Sequence, residues 1–184
     1  MWPARVNSVT GSEQWQRPPG RDALGLAGAL RWLSLSALIV VLDQLTKWYA
    51  VQQLAYGERI PVIAGCFDWT RAHNPGVAFS MFADGEVWTR WGLSGFALLV
   101  SAGFAIALAR LGRNERFSAL AFALVIGGAV GNIIDRVRLG YVIDFILWYW
   151  RDWHWPAFNV ADSAIVCGAA VLILFGWRDT KRAL

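Results

Sequence analysis

Two aspartates stand where an apolar chain could use them for acid–base chemistry. Asp144 lies in VIDFI and Asp162 in FNVAD, each at the edge of a hydrophobic stretch. Carboxylates at the mouths of membrane helices are expensive to hold, which marks them as candidate functional groups. Two such groups in one partly desolvated site cannot both ionise cheaply, so they share a proton. The charged member can then take a proton from water while the protonated one donates to a leaving amide nitrogen. That is general acid–base hydrolysis without a metal or a covalent intermediate. A plainer reading makes Asp144 a loop residue and Asp162 a charge favoured at a helix N-terminus. Spacing alone leaves both readings open.

Further polar residues could support such a site. Asn132 and Asp135 are three apart and share a helix face, as do Asp43 and Lys47 at four apart. Arg136 could pair with a carboxylate or hold a backbone carbonyl. For Asp43 and Lys47 the favoured reading is an ion pair that neutralises two charges, with Lys47 reaching toward lipid headgroups. Asn74 and Asn159 could orient a substrate backbone or shape turns.

Rival chemistries lack partners in the sequence. Gly92-Leu93-Ser94-Gly95 has the GxSG pattern of rhomboid-type serine proteases. Such a serine needs a base, and the two histidines, His73 and His154, both fall in connections rather than spans. Small-residue packing is the expectation for that stretch. Ser163 has no obvious Lys or His beside it. No HExxH, no paired Cys/His cluster and no GxxxxGK[ST] is present. Neither a metal nor a cofactor is therefore expected. Cys66 and Cys167 fall in a loop and an apolar span, so no disulfide between them is expected.

The elements that must position these residues are membrane helices. The 184 residues are 57% hydrophobic and 16% charged, against roughly 25% charged in soluble domains. Mean hydropathy is +0.40. Hydrophobic spans run over about 24–49, 87–111, 117–134 and 160–177, each approaching the ~20 residues a bilayer helix needs. A net charge of +4 raises the idea of a nucleic-acid partner, but the cations cluster at span ends. Arg5, Arg17, Arg21 and Arg31 precede the first span, Arg110, Arg113 and Arg116 crowd the second connection, and Arg178, Lys181 and Arg182 close the chain. The positive-inside rule puts these groups, and both termini, in the cytoplasm.

The first and third connections then lie outside. Ile60–Thr70 carries short β-like runs broken by Pro61 and Gly65, which predict a small sheet. Gly76–Phe82 predicts a short interfacial helix. Trp148, Trp150, Trp153 and Trp155 predict an aromatic belt at the lipid–water boundary. Residues 1–22 are polar and read as a flexible cytoplasmic tail, with 23–184 a single domain. Two other function classes compete. A transporter using carboxylates as ion sites would need a polar path across the bilayer, whereas here the ionisable groups gather at one end. A structural subunit would leave Asp144 and Asp162 without a joint role.

In order, LDQLTKWYA, HNPGVAFSMF, GGAVGNIIDR, VIDFI and FNVADSAI resemble the motifs of the bacterial lipoprotein (type II) signal peptidases. The resemblance extends from the first span to the fourth and leaves out the tail, which is longer than the family leads one to expect. It implies an all-α polytopic membrane protein, four transmembrane helices with a small outer β-cradle. It also implies an aspartyl endopeptidase of the bacterial cytoplasmic membrane that cleaves prolipoproteins before a diacylglyceryl-modified cysteine. Carried over by motif, Asp144 and Asp162 would be the catalytic pair. Asp43, Lys47, Asn74, Asn132, Asp135, Arg136 and Asn159 would shape or support the site. The implied partners are the lipid-modified precursor and membrane lipid, with no nucleic acid; the sequence leaves the oligomeric state open, with a monomer among the options. Phe79, Phe145 and the tryptophans are candidates to line a lateral groove for the substrate's lipid.

Overall fold

The computed structural model describes residues 23–76 and 86–182. The tail over 1–22, Phe79 and nearly all of the expected interfacial helix over 76–82 lie outside them. Four helices form: α1 (Gly25–Gln53), α2 (Glu86–Arg110), α3 (Arg116–Leu139) and α4 (Val160–Arg182). By length and composition α1, α2 and α3 can cross a membrane, while the apolar part of α4, Val160–Gly176, is shorter. In hydrocarbon a helix satisfies its own backbone polar groups, which is why such apolar runs take this form. The third helix continues to Leu139 rather than stopping near 134, so Asp135 and Arg136 sit on its last turns. It ends at Gly140, whose φ of 89° is left-handed and whose N–H reaches the Arg136 carbonyl at 3.1 Å.

α3 is the central helix and packs on each of the other three. Small residues let it do so. A Cβ on Gly128 would collide with the Ala161 carbonyl of α4, and one on Gly131 would come to 2.6 Å from Asp43 Oδ2 of α1. At the opposite end of the bundle the Leu24 N–H donates to Leu111 O at 2.7 Å, which ties the start of α1 to the α2–α3 connection. Among the described residues the expected small-residue packing around Gly92 and Gly95 is not found: none of them would come within 4 Å of a Cβ at either.

The sheet is larger than expected. β1 (Arg59–Ile63), β2 (Phe67–Asn74), β3 (Val142–Trp150) and β4 (Trp153–His154) are antiparallel in that order. The stretch expected to be only an aromatic belt is thus mostly strand. VIDFILWYW follows a helix-ending glycine and is rich in β-branched and aromatic residues, which suit a pleated surface. Its tryptophans 148 and 150, with 153 and 155, are exposed, while Phe145 is buried and offers no open lining surface. The register pairs Ala72 with Asp144 and Asn74 with Val142. A register irregularity between Trp69 and Ala72 lets β2 bend there. β2 and β3 contact α1, and β3 contacts α3, so the sheet meets the helix ends that carry the polar residues.

Candidate active site

The site is assembled at the first turn of α4. Asn159 precedes the helix, and its Oδ1 accepts the Asp162 N–H at 2.9 Å. Asp162 Oδ2 accepts the Asn159 N–H in return at 3.2 Å. This reciprocal pair is a capping box that satisfies two backbone donors otherwise orphaned at a helix start. Asp43 Oδ1, from α1, accepts a third, the Ala161 N–H at 2.9 Å. Helix start and carboxylate site are one construction.

Asn159 is also the link between the two aspartates. It is fully buried, and its Nδ2 donates to Asp144 Oδ1 at 2.7 Å. The same amide approaches Asn132 Oδ1 and Ile143 O, each at 3.3 Å. Asn132 Nδ2 donates to Asp162 Oδ1 at 2.8 Å. Both oxygens of Asp162 are therefore engaged. Strand β3 carries Asp144 in from the sheet, α4 carries Asp162, and α3 supplies Asn132, which bonds Asp162 and Asn159. Asn74, at the end of β2, makes a side-chain hydrogen bond to Asp144. It also turns its own chain by accepting the Gly76 N–H at 2.8 Å.

Lys47 differs from expectation. It does not reach toward headgroups but is 1% exposed. Its Nζ lies 2.8 Å from Asp43 Oδ2, 2.9 Å from Asp135 Oδ2 and 3.1 Å from Asn132 Oδ1. Those three acceptors match the three protons of an ammonium group. A buried cation holding two carboxylates is satisfied where a lone one would be prohibitive. Asp135 Oδ2 further accepts the Ile143 N–H at 3.1 Å, which fixes β3 one residue before Asp144. Gln44 went unnoticed in the sequence. Its Nε2 reaches Asp135 Oδ1 at 2.9 Å, Gly131 O at 3.2 Å and Asp43 Oδ2 at 3.3 Å, clamping α1 to α3. An amide inside an otherwise apolar span was the available signal.

Electrostatics separate the two aspartates. Asp144 is 2% exposed, and its carboxyl is pushed up from 3.8 to about 7. Burial is the main cause, and the neighbouring charge of Asp162 adds to it. Hydrogen bonds from Asn74 and Asn159 and the positive charge of Lys47 oppose the rise. Arg136 feels the charges of Asp162, Asp144 and Asp135, and its buried Nε has no partner. Two cations, Lys47 and Arg136, thus face four carboxylates, and a proton kept on Asp144 reduces the excess negative charge.

The rival groups do not join this cluster. Ser94 Oγ donates to Arg90 O at 2.7 Å, one turn back along its own helix, and Ser163 Oγ likewise to Asn159 O at 2.9 Å. His73 is stacked on Tyr141 at 3.9 Å and against Tyr56 at 4.4 Å. Burial, and secondarily the charge of Arg71, lowers its pKa. His154 is exposed and stacks on Tyr149. Cys66 and Cys167 are both free thiols.

Comparison with known proteins places this arrangement. A family model described as signal peptidase (SPase) II matches residues 35–178. A lipoprotein signal peptidase of Pseudomonas fluorescens (strain Pf0-1) is 49% identical over 161 residues, covering 87% of this chain and 95% of that protein. One from Pseudomonas putida (strain KT2440) is 51% identical over 160 residues, covering 86% and 94%. Among solved structures, a bacterial membrane enzyme determined by the in meso method at 1.9 Å superposes with a TM-score of 0.68 at 27% identity, over 84% of this chain and 95% of that one.

Proposed function

Because the chain belongs to the signal peptidase II family, we propose that it is an aspartyl endopeptidase that removes signal peptides from diacylglyceryl-modified prolipoproteins. One observation carries the mechanism: a single buried residue, Asn159, is hydrogen-bonded to both Asp144 and Asp162. Asp144, with its pKa near 7, is the protonated member of the pair. Water between them loses a proton to Asp162 as its oxygen attacks the scissile carbonyl carbon. Asp144 then gives its proton to the amide nitrogen as the carbon–nitrogen bond breaks, leaving a carboxyl on the signal peptide and an amine on the lipid-modified cysteine. Arg136, with an unpartnered Nε, holds a substrate carbonyl beside the pair, and Asn74 orients Asp144. Asp43, Lys47, Asn132, Asp135 and Gln44 act by holding the helices and strand that present them.

Placement follows from the same reading. The four helices cross the bacterial cytoplasmic membrane with both termini in the cytoplasm, and the site sits near the outer leaflet, where an exported precursor presents its cleavage bond. Residues 23–184 form one peptidase domain, with 1–22 a cytoplasmic tail, and a monomer suffices. The diacylglyceryl group keeps the precursor in the bilayer, so binding its lipid positions the scissile bond. Purified wild-type chain, Asp144→Asn and Asp162→Asn should be compared on a lipid-modified precursor. Each substitution is expected to abolish cleavage while leaving expression and membrane insertion intact. Full activity in either variant would refute the pairing.

A further inference from the structure

Beside the Lys47 cluster lies a cavity of about 240 Å³ whose lining takes in neither Asp144 nor Asp162. It opens between the end of α1, the end of α3 and the sheet, and its lining includes Lys47, Asp135, Arg71, Arg138, Trp48 and Tyr141. Lys47 and Asp135 are already engaged with each other and with Asp43, Asn132 and Gln44. The cations left to act on a guest are the two arginines. Arg71 Nη1 donates to the α1-terminal carbonyls of Leu54 at 3.1 Å and Val51 at 3.4 Å, while its buried Nε has no partner. Arg138 is exposed, on the last turn of α3.

The outer face of α1 leads to this cavity. Leu38, Val41, Leu45 and Trp48 are spaced three or four apart and are 52%, 53%, 56% and 61% exposed. They form one apolar stripe that ends at Trp48, which is itself part of the cavity wall. An apolar stripe ending in a pocket with two guanidiniums, an indole and a phenol matches a molecule with an acyl chain and an anionic head. Guanidinium groups recognise phosphate oxygens in a forked geometry. The volume is below the roughly 300–1,000 Å³ of cavities that enclose drug-sized ligands, which fits a headgroup better than a peptide segment. We propose that this cavity binds the phosphodiester headgroup of an anionic phospholipid, whose acyl chain lies along the α1 stripe. This takes only the membrane placement of α1 from the preceding reading and nothing from the catalytic assignment.

The test uses the full chain in a neutral detergent, titrated with dihexanoyl-phosphatidylglycerol, dihexanoyl-phosphatidylcholine and inorganic phosphate, with Tm as the readout. Phosphatidylglycerol is expected to raise Tm saturably, with the other two probes much weaker. Arg138→Gln should weaken its apparent affinity by about tenfold or more, as expected on removing a charged hydrogen-bond donor to phosphate. Arg138→Lys, which keeps the charge, should retain part of the binding and guards against a fold defect in the first variant. An affinity unchanged by Arg138→Gln, or equal binding of phosphatidylcholine, would overturn the proposal. Inorganic phosphate binding as tightly as phosphatidylglycerol would also overturn it, by showing that the cavity takes a free anion.

Discussion

Replacing Asp144 by asparagine should do more than stop cleavage: it should stabilise the protein, and increasingly so as pH rises. The carboxyl is buried, and its pKa is raised from 3.8 to about 7. The folded state thus binds the proton more tightly than the unfolded chain does. Stability is unaffected by this group below 3.8, falls as pH rises from there toward 7, and stays reduced above. At 1.36 kcal/mol per unit, the full gap corresponds to about 4 kcal/mol. Near pH 5.5 about half of that penalty is present, and near pH 8 all of it. The asparagine oxygen can still accept the Asn159 amide, so the deletion removes the ionisation and little else. The expected stability gain of Asp144→Asn over wild type is therefore about 2 kcal/mol larger near pH 8 than near pH 5.5. Reversible unfolding in detergent at both pH values measures it. A gain equal at both pH values, or larger at the lower one, would refute the assignment of the retained proton to Asp144. On the proposed mechanism, the cleavage rate should fall as pH rises through about 7, where Asp144 loses its proton.

Lys47→Met leaves Asp43 and Asp135 buried without their cation and should cost about 3–5 kcal/mol in the same unfolding assay. Adding Asp135→Asn should recover part of that loss, whereas strictly additive losses would show that the two side chains are not coupled. Gly128→Ala drives a methyl group into the Ala161 carbonyl and should cost about 1–3 kcal/mol, with cleavage reduced because Asp162 moves with α4. No described residue would meet a methyl group at Gly95, so Gly95→Ala should hold stability or raise it by up to about 1 kcal/mol. Equal costs at the two positions would contradict the close α3–α4 packing.

The helices were legible because an apolar run of span length has few other solutions in a bilayer. The Asp43–Lys47 pairing was legible too, since four residues bring side chains together on any helix. What spacing could not supply was depth. Lys47 near a helix end can snorkel or turn inward, and here Asp135 and Asn132, over 80 residues away in sequence, turn it inward. β3 was obscured because tryptophans signal both a membrane boundary and a strand. The strand reading was available from the β-branched start at Val142-Ile143 after Gly140. With it, Asp144 changes from a loop residue to one held in register against β2.

Asp162 shows why the structural and chemical readings of an aspartate need not compete. The capping role and the proposed catalytic one use the same atoms. Oδ2 closes the capping box with the Asn159 N–H, and Oδ1 takes the Asn132 amide. Both bonds are made at the first turn of α4 and fix this side chain against Asn132 and Asn159. Asp144 has no helix dipole behind it. It is buried on a strand, and the neighbouring charge of Asp162 adds to the rise that burial gives its carboxyl. Under the proposed mechanism the donated proton therefore belongs on the strand residue, Asp144, and the helix residue is the one left to receive a proton from water.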